Sequence, residues 1–164
     1  MKIVAFIPIK LNNQRLPHKN VLKLGGKPLM AYQQEELLKI KDELFEIDVY
    51  CSDPAVKPYL LPGVNFLKRP KELDGSLVKG NQIYESFINT VDADFYLLDH
   101  VTAPFVKAST IKSLIDAVKT GKHDSAFAAY KIQKFLWRGG EPLNFDIANV
   151  PRTQDLERPP RRAR

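Results

Sequence analysis

Apolar positions fall along the chain in short solid blocks separated by longer amphipathic stretches. Residues 2–9 are nearly continuous in hydrophobicity, the pattern of a strand buried on both faces. Leu29, Tyr32, Leu37 and Ile40 recur at helical spacing, and Pro28 fits the first turn of that helix because its missing N–H has no helical partner there. Residues 47–51 predict a second strand closed by Ser52, Asp53 and Pro54, and residues 64–67 a third. Ile83, Phe87, Ile88 and Val91 predict another helix, and "FYLLD" over 95–99 a strong strand. Thr110, Ile111, Leu114, Ile115 and Val118 form a helical stripe, with Ser109 as its N-cap and Gly121 as its end. Residues 125–132 alternate loosely, as a strand does. Beyond Phe135 the periodicity fades, and Gly139, Gly140 and Pro142 mark turns. The β-α-β order predicts an α/β sandwich around a mostly parallel sheet.

Composition narrows the function classes. A hydrophobic fraction of 44% with 27% charged residues suits a globular domain, and no apolar run reaches the roughly 20 residues of a membrane helix. The single cysteine, Cys51, excludes an internal disulfide and points to the cytoplasm. The net charge of +6 suggests nucleic acid until its placement is considered. "RPPRRAR" at 158–164 holds 4 of the 25 basic residues and no acid, leaving 21 against 19 and a balance of +2. The body carries no basic helix and no aromatic RNA-binding signature, so neither a nucleic-acid nor a membrane partner is expected.

The first strand runs into "KLNNQRLPHKN". Ligands in open α/β sheets sit at the carboxyl ends of strands. There Lys10, Arg15 and Lys19 can neutralise phosphate, and Asn12, Asn13 and Asn20 can donate to phosphate, ribose or base. Neither GxGxxG nor GxxxxGK[ST] occurs, so charged side chains would have to replace a glycine-rich backbone cradle. A solvated surface loop fits the same composition.

"IPIKLNNQRLPHKN…LGGKPLMAY", followed in order by "VYCSD", "FLKRPKELD", "YLLDHVTAPF", "DSAFAAYKIQKFLW" and "PRTQDLE", resembles the acylneuraminate cytidylyltransferases (CMP-sialic acid synthetases). The resemblance implies a Rossmann-like nucleotide-diphospho-sugar transferase fold, a three-layer sandwich with a mostly parallel sheet. It implies transfer of CMP from CTP to a sialic acid-like nine-carbon acidic sugar, with release of pyrophosphate and a need for Mg²⁺. Lys10, Arg15 and Lys19 take the family's catalytic basic positions. Lys10, Asn12, Asn13, Asn20 and Arg69 take nucleotide-binding ones, a surface arginine being the alternative for Arg69. Lys10 stands where arginine is usual, keeping charge but losing a two-pronged contact.

On the sugar side the resemblance assigns His100 to the place of a sugar-holding glutamine, retains Thr102, and matches Arg152 and Gln154 to an R-x-Q-D-L stretch. A guanidinium suits a sugar carboxylate. Trp137 is a wall of the same pocket or a packing residue. Asp99 and Asp53, at strand ends, are the magnesium candidates, although strand-end aspartates also satisfy backbone donors. The family implies a homodimer at full length and further sequence carrying metal aspartates and part of the sheet. The expectation is therefore an incomplete cytidylyltransferase domain over 1–157, its C-terminal part missing, with a basic non-family tail at 158–164. A catalytically incompetent nucleotide-binding fragment is the alternative reading.

Overall fold

The computed structural model describes residues 1–130 and 132–156, so the basic tail expected at 158–164 lies outside the described residues. The chain divides into two compact units, one over Met1–Phe127 and one from Ala128 onward.

The first unit opens with strand β1 (Ile3–Pro8). A loop and a 3-10 turn lead to a small hairpin, β2 (Lys23–Leu24) and β3 (Lys27–Pro28). Its two-residue turn holds Gly25 and Gly26 at φ 56 and 94, values a primed hairpin turn demands and a Cβ resists. Helix α1 (Leu29–Leu38), strand β4 (Glu46–Cys51) and strand β5 (Asn65–Lys68) follow. Helix α2 (Gly80–Ile88), strand β6 (Phe95–Leu98) and helix α3 (Ala108–Lys119) complete the unit.

The four long strands pair in the order β5-β4-β1-β6, every neighbour parallel. Such strands are covered on both sides, which is why their sequences read as solid apolar runs. Successive side chains of β1 alternate between two cores. Ile3, Ala5 and Ile7 meet Met30 and Leu37 of α1 and Ile111 and Ile115 of α3. Val4 and Phe6 meet Tyr50 of β4 and Phe87 of α2 on the opposite face. Each large side chain so withdrawn from water contributes about 1.5–3 kcal/mol. The expected three-layer arrangement is observed.

Three local expectations are corrected. Pro28 precedes α1 as its N-cap at φ −53, ψ 140 and closes β3, so it lies just outside the first turn. Ser109 lies inside α3. The cap comes from Glu36 of α1, whose Oε2 accepts the Ala108 N–H at 2.8 Å. The carboxylate is held below its ordinary pKa, chiefly by the Lys39 ammonium and then by this backbone donor. Residues 125–130 form no strand. All six are exposed, and an alternating pattern specifies a strand only when one face is buried against a partner; Lys131, within the same expectation, lies outside the described residues.

The second unit contains the short hairpin β7 (Trp137–Arg138) and β8 (Glu141–Pro142), turning at Gly139 and Gly140 as the sequence suggests. Phe145 packs edge-on against both Phe135 and Trp137, at 4.7 and 5.3 Å between ring centroids. Trp137 is thus a packing residue of that unit.

Candidate active site

The chain steps from β1 outward to β4 and β5, then returns to the other side of β1 for β6. The side on which the chain adds successive parallel strands reverses at β1, and the carboxyl ends on either side of such a switch form a ready crevice. The loops after β1 and after β6 both leave the sheet at this end, where the Asp99 N–H donates to the Phe6 carbonyl of β1 at 3.0 Å and extends the pairing of the two strands by one residue.

The basic loop is held by its ends. Asn20, 6% exposed, donates from Nδ2 to the Lys10 carbonyl at 2.9 Å, and the His18 N–H donates to the Leu11 carbonyl at 3.0 Å. Asn20 thereby serves the loop's own geometry. His18 turns the chain at φ 56, ψ 17, a left-handed conformation that costs a residue with a Cβ about 1–2 kcal/mol. Lys10 and Lys19 are half-buried and Arg15 is exposed. Among the described residues none of these three cations enters an ion pair. Asn13 is half-buried with its Oδ1 enclosed and unpartnered, and Asn12 is exposed.

Beside this loop a cleft of about 340 Å³ crosses the strand ends. Leu11 and Asn12 line it after β1, Ser52, Asp53 and Pro54 after β4, and Lys71 and Asp74 after β5. Of the sequence candidates, only Asn12 and Asp53 line it. Arg69 is 2% exposed and lies behind the wall, its NH2 donating to Asp74 Oδ1 at 2.5 Å. Lys71 and Asp74 escaped the sequence reading; the available signal was a charged turn ending in Asp-Gly directly after Arg69-Pro70.

Across β1 stand Asp99, His100 and Thr102. Asp99 is 8% exposed, its Oδ2 has no partner, and burial pushes its carboxyl up to about 6. His100 and Thr102 are exposed. The loop they share is anchored by Gln33 of α1, fully buried, whose Nε2 donates to the Ala103 carbonyl. Asp53 is exposed and spends Oδ1 on the Ala55 N–H at 2.9 Å. Among the described residues no three His, Cys, Asp or Glu side chains cluster to hold a metal. Arg152 and Gln154 belong to the second unit. There Arg152 Nε donates to Asp155 at 2.7 Å, and the Gln154 carbonyl accepts from Gln133 at 2.9 Å.

Chemically, then, one switch point combines unpaired cations, a polar cleft able to take a nucleoside, and an enclosed carboxylate on the opposite side.

Comparison with known proteins agrees with this layout. The cytidylyltransferase family model matches residues 4–157. A pseudaminic acid cytidylyltransferase of Campylobacter jejuni is 26% identical over 171 residues, covering 95% of this chain and 73% of the relative. An N-acylneuraminate cytidylyltransferase of Escherichia coli is 31% identical over 121 residues, 72% of this chain and 28% of the relative. Among solved structures, CMP:2-keto-3-deoxy-manno-octonic acid synthetase complexed with CTP aligns with a TM-score of 0.61 at 23% identity, covering 73% of this chain and 48% of that one. The bifunctional IspDF of Campylobacter jejuni aligns at 0.66 and 18% identity, covering 87% and 37%. The chain thus spans less than half of either solved chain, and these alignments support the parallel-sheet fold. By the family match over nearly its whole length, the chain belongs to the cytidylyltransferases, enzymes of the nucleotidyltransferase type.

Proposed function

We propose that this protein transfers CMP from CTP to a nine-carbon acidic sugar of the sialic or pseudaminic acid kind, releasing pyrophosphate. The observation that supports the reading is a loop after β1 whose three cations enter no ion pair among the described residues, beside a cleft of about 340 Å³ at the strand ends. Lys10, Arg15 and Lys19 receive the triphosphate and stabilise charge building on the α-phosphate and on departing pyrophosphate. The sugar's anomeric hydroxyl attacks the α-phosphorus in line. A new phosphorus–oxygen bond forms as the bond to the β-phosphate breaks, and the hydroxyl proton leaves to solvent or a nearby base. His100 and Thr102 face the sugar from the β6 loop; Arg152 and Gln154 are assigned to its carboxylate and hydroxyls through the family motif. The functional form is a cytoplasmic homodimer.

Magnesium fits this donor set in one place. Asp99 offers an enclosed carboxylate oxygen with no partner, and a hard divalent cation prefers one or two carboxylates completed by phosphate and water. Asp53 and Asp99 follow strands on opposite sides of β1, about 10 Å apart at ordinary strand spacing, so they would not share one ion. Bound there, the metal would supply charge neutralisation to the phosphates.

The test is calorimetric titration with CTP, then ATP, in magnesium, followed by pyrophosphate release with sialic and pseudaminic acids. Selective CTP binding is expected, weakened by Lys10→Ala. A folded sample that binds no CTP, or a Lys10→Ala variant of unchanged affinity, would overturn the assignment.

A further inference from the structure

The loop between β6 and α3 carries His100 and Thr102, and its support comes chiefly from side chains of α1 that lie outside the stretches carrying the family resemblance. Two turns build the loop. The Ala103 N–H donates to the His100 carbonyl at 2.9 Å, and the Ala103 carbonyl accepts the Val106 N–H at 3.1 Å, so Ala103 is the joint of both. Gln33 reaches this joint from 70 residues away, its Nε2 donating to the same carbonyl. Among the described residues no other element sends a side-chain hydrogen bond to the backbone of residues 100–107. Glu36, three residues further along the same face of α1, accepts the Ala108 N–H at 2.8 Å and stands 3.8 Å from the Lys107 ammonium, which fixes the far end. Stability does not explain Gln33. It is fully buried and its Oε1 has no partner, a loss that an apolar side chain of the same length would avoid. Gln34, equally buried, is the contrast. Its Oε1 accepts the Leu61 N–H at 2.8 Å and its Nε2 donates to the Tyr59 carbonyl at 3.1 Å, both in the connection from β4 to β5.

We propose that Gln33 is a positioning residue for the acceptor sugar, acting through the β6 loop by holding His100 and Thr102 in place before the sugar arrives. The inference rests on the acceptor reading above and deepens it. The peptide after Ala103 leads into Pro104, which has no N–H, so the Ala103 carbonyl is the only polar group by which that peptide can be held. It has two donors, the Val106 N–H and Gln33. Removing Gln33 leaves a single local bond to fix the peptide beside Thr102, and a binding group displaced by about 1 Å can cost up to about a hundredfold in rate. The nucleotide side does not share this support. The basic loop after β1 is closed by Asn20 and by its own backbone bonds. Loss of the Gln33 donor therefore acts on the sugar and spares CTP.

The experiment compares the full chain with its Gln33→Met and Gln34→Met variants, methionine being as long and unbranched as glutamine but without a donor. Transfer of CMP to sialic and pseudaminic acids is measured beside CTP affinity by calorimetry, urea melts and amide hydrogen exchange. Gln33→Met is expected to raise KM for the sugar about fivefold or more while CTP affinity stays within about twofold. It should be at least as stable as wild type and exchange the Val106 amide faster. Gln34→Met should do the reverse, losing stability as the Leu61 N–H and Tyr59 carbonyl lose their partner, with the sugar KM unchanged. The inference is overturned if Gln33→Met keeps the wild-type sugar KM, weakens sugar and CTP alike, or leaves Val106 exchange unchanged. It also fails if Gln34→Met raises the sugar KM equally, or if Gln33→Met does not fold, which would assign Gln33 to the scaffold. The acceptor reading survives each of these results. A folded wild type that binds CTP but transfers CMP to neither sugar overturns the acceptor reading, and this inference with it.

Discussion

Replacing Asp48 with Asn should stabilise the protein at neutral pH, and do so less as the pH falls. Asp48 lies in the middle of β4, opposite Phe6 of β1 and Asn65 of β5, and is 4% exposed. Strand alternation turns it to the same face as Tyr50, toward the apolar core under α2. Its one side-chain partner is neutral, Asn65 Nδ2 donating at 3.2 Å, and among the described residues no cation pairs with it. Burial, and then repulsion from Glu46, push its carboxyl up from 3.8 to about 6.

The sign follows from proton binding. Between pH 3.8 and 6 the folded state holds this proton more tightly than the unfolded state, so stability falls as pH rises through that window. Above it the full cost of an enclosed charge remains. Two pH units correspond to roughly 3 kcal/mol. Asn keeps an acceptor for Asn65, so Asp48→Asn should gain about 2–3 kcal/mol at pH 7.5, shrinking toward zero near pH 4. Asp99 shifts in the same direction, so the variant should keep part of the wild-type slope. Glu43 shifts the opposite way, down to about 2 beside Lys112 and Lys119, and its stabilisation is lost only as pH falls below about 4.5. Urea melts between pH 4.5 and 7.5 therefore isolate the effect. A variant less stable than wild type at pH 7.5, or one whose gain is the same at both ends, would refute the reasoning.

Two further substitutions probe the scaffold. His18→Gly removes a Cβ from a left-handed turn at φ 56; after the greater unfolded-state freedom of glycine is subtracted, a gain of about 0.5–1 kcal/mol in urea melts is expected, and a loss would show that the His18 side chain stabilises the loop. Phe87 is fully buried, stacked on Phe6 at 4.2 Å and edge-on to Tyr50 at 5.2 Å. Phe87→Ala should cost about 3–5 kcal/mol, and a cost near that of a surface change, about 0.5 kcal/mol, would mean that α2 does not seal this face.

The sheet was legible because parallel strands covered on both faces have no polar alternation to obscure them. "IVAFIP", "IDVYC" and "FYLL" announce themselves, and only Asp48 interrupts the pattern. Helix α3 was legible for the complementary reason: its buried Ile111, Ile115 and Val118 sit three and four residues apart. Helix α1 was legible only in part: Leu29, Leu37 and Ile40 of the expected stripe join the core and Tyr32 does not. Its buried side includes Gln33, Gln34 and Glu36, which a hydrophobicity pattern assigns to solvent. They are buried because distant backbone groups need partners. Gln34 accepts the Leu61 N–H at 2.8 Å and donates to the Tyr59 carbonyl at 3.1 Å, while Glu36 caps a helix 72 residues away. Long-range polar stapling leaves no local period. The cleft was half legible for the same reason. Cations after a strand are visible in one dimension, but the bond from Ser52, at the end of β4, to Asp74, which follows β5 with its partner Arg69, is not.

On the proposed reading as a triphosphate cradle, the loop after β1 poses a physical problem that its backbone bonding resolves. A glycine-rich cradle binds phosphate with backbone N–H groups that are already oriented. A cradle of lysine and arginine must order long side chains, each losing up to about 2 kcal/mol of rotamer freedom. Such a loop functions only if its backbone does not also have to be ordered on binding. The stapling of Lys10 by Asn20, the closure from His18 to Leu11 and the bond from the Leu29 N–H to the Leu22 carbonyl at 2.9 Å remove that second cost before any ligand arrives. Half-burial of the Lys10 and Lys19 stems lowers the first, since a stem packed against protein has fewer rotamers left to lose. The left-handed His18 fits this account: strain is tolerated there because the turn it enforces brings Lys19 and Asn20 back to the end of β1.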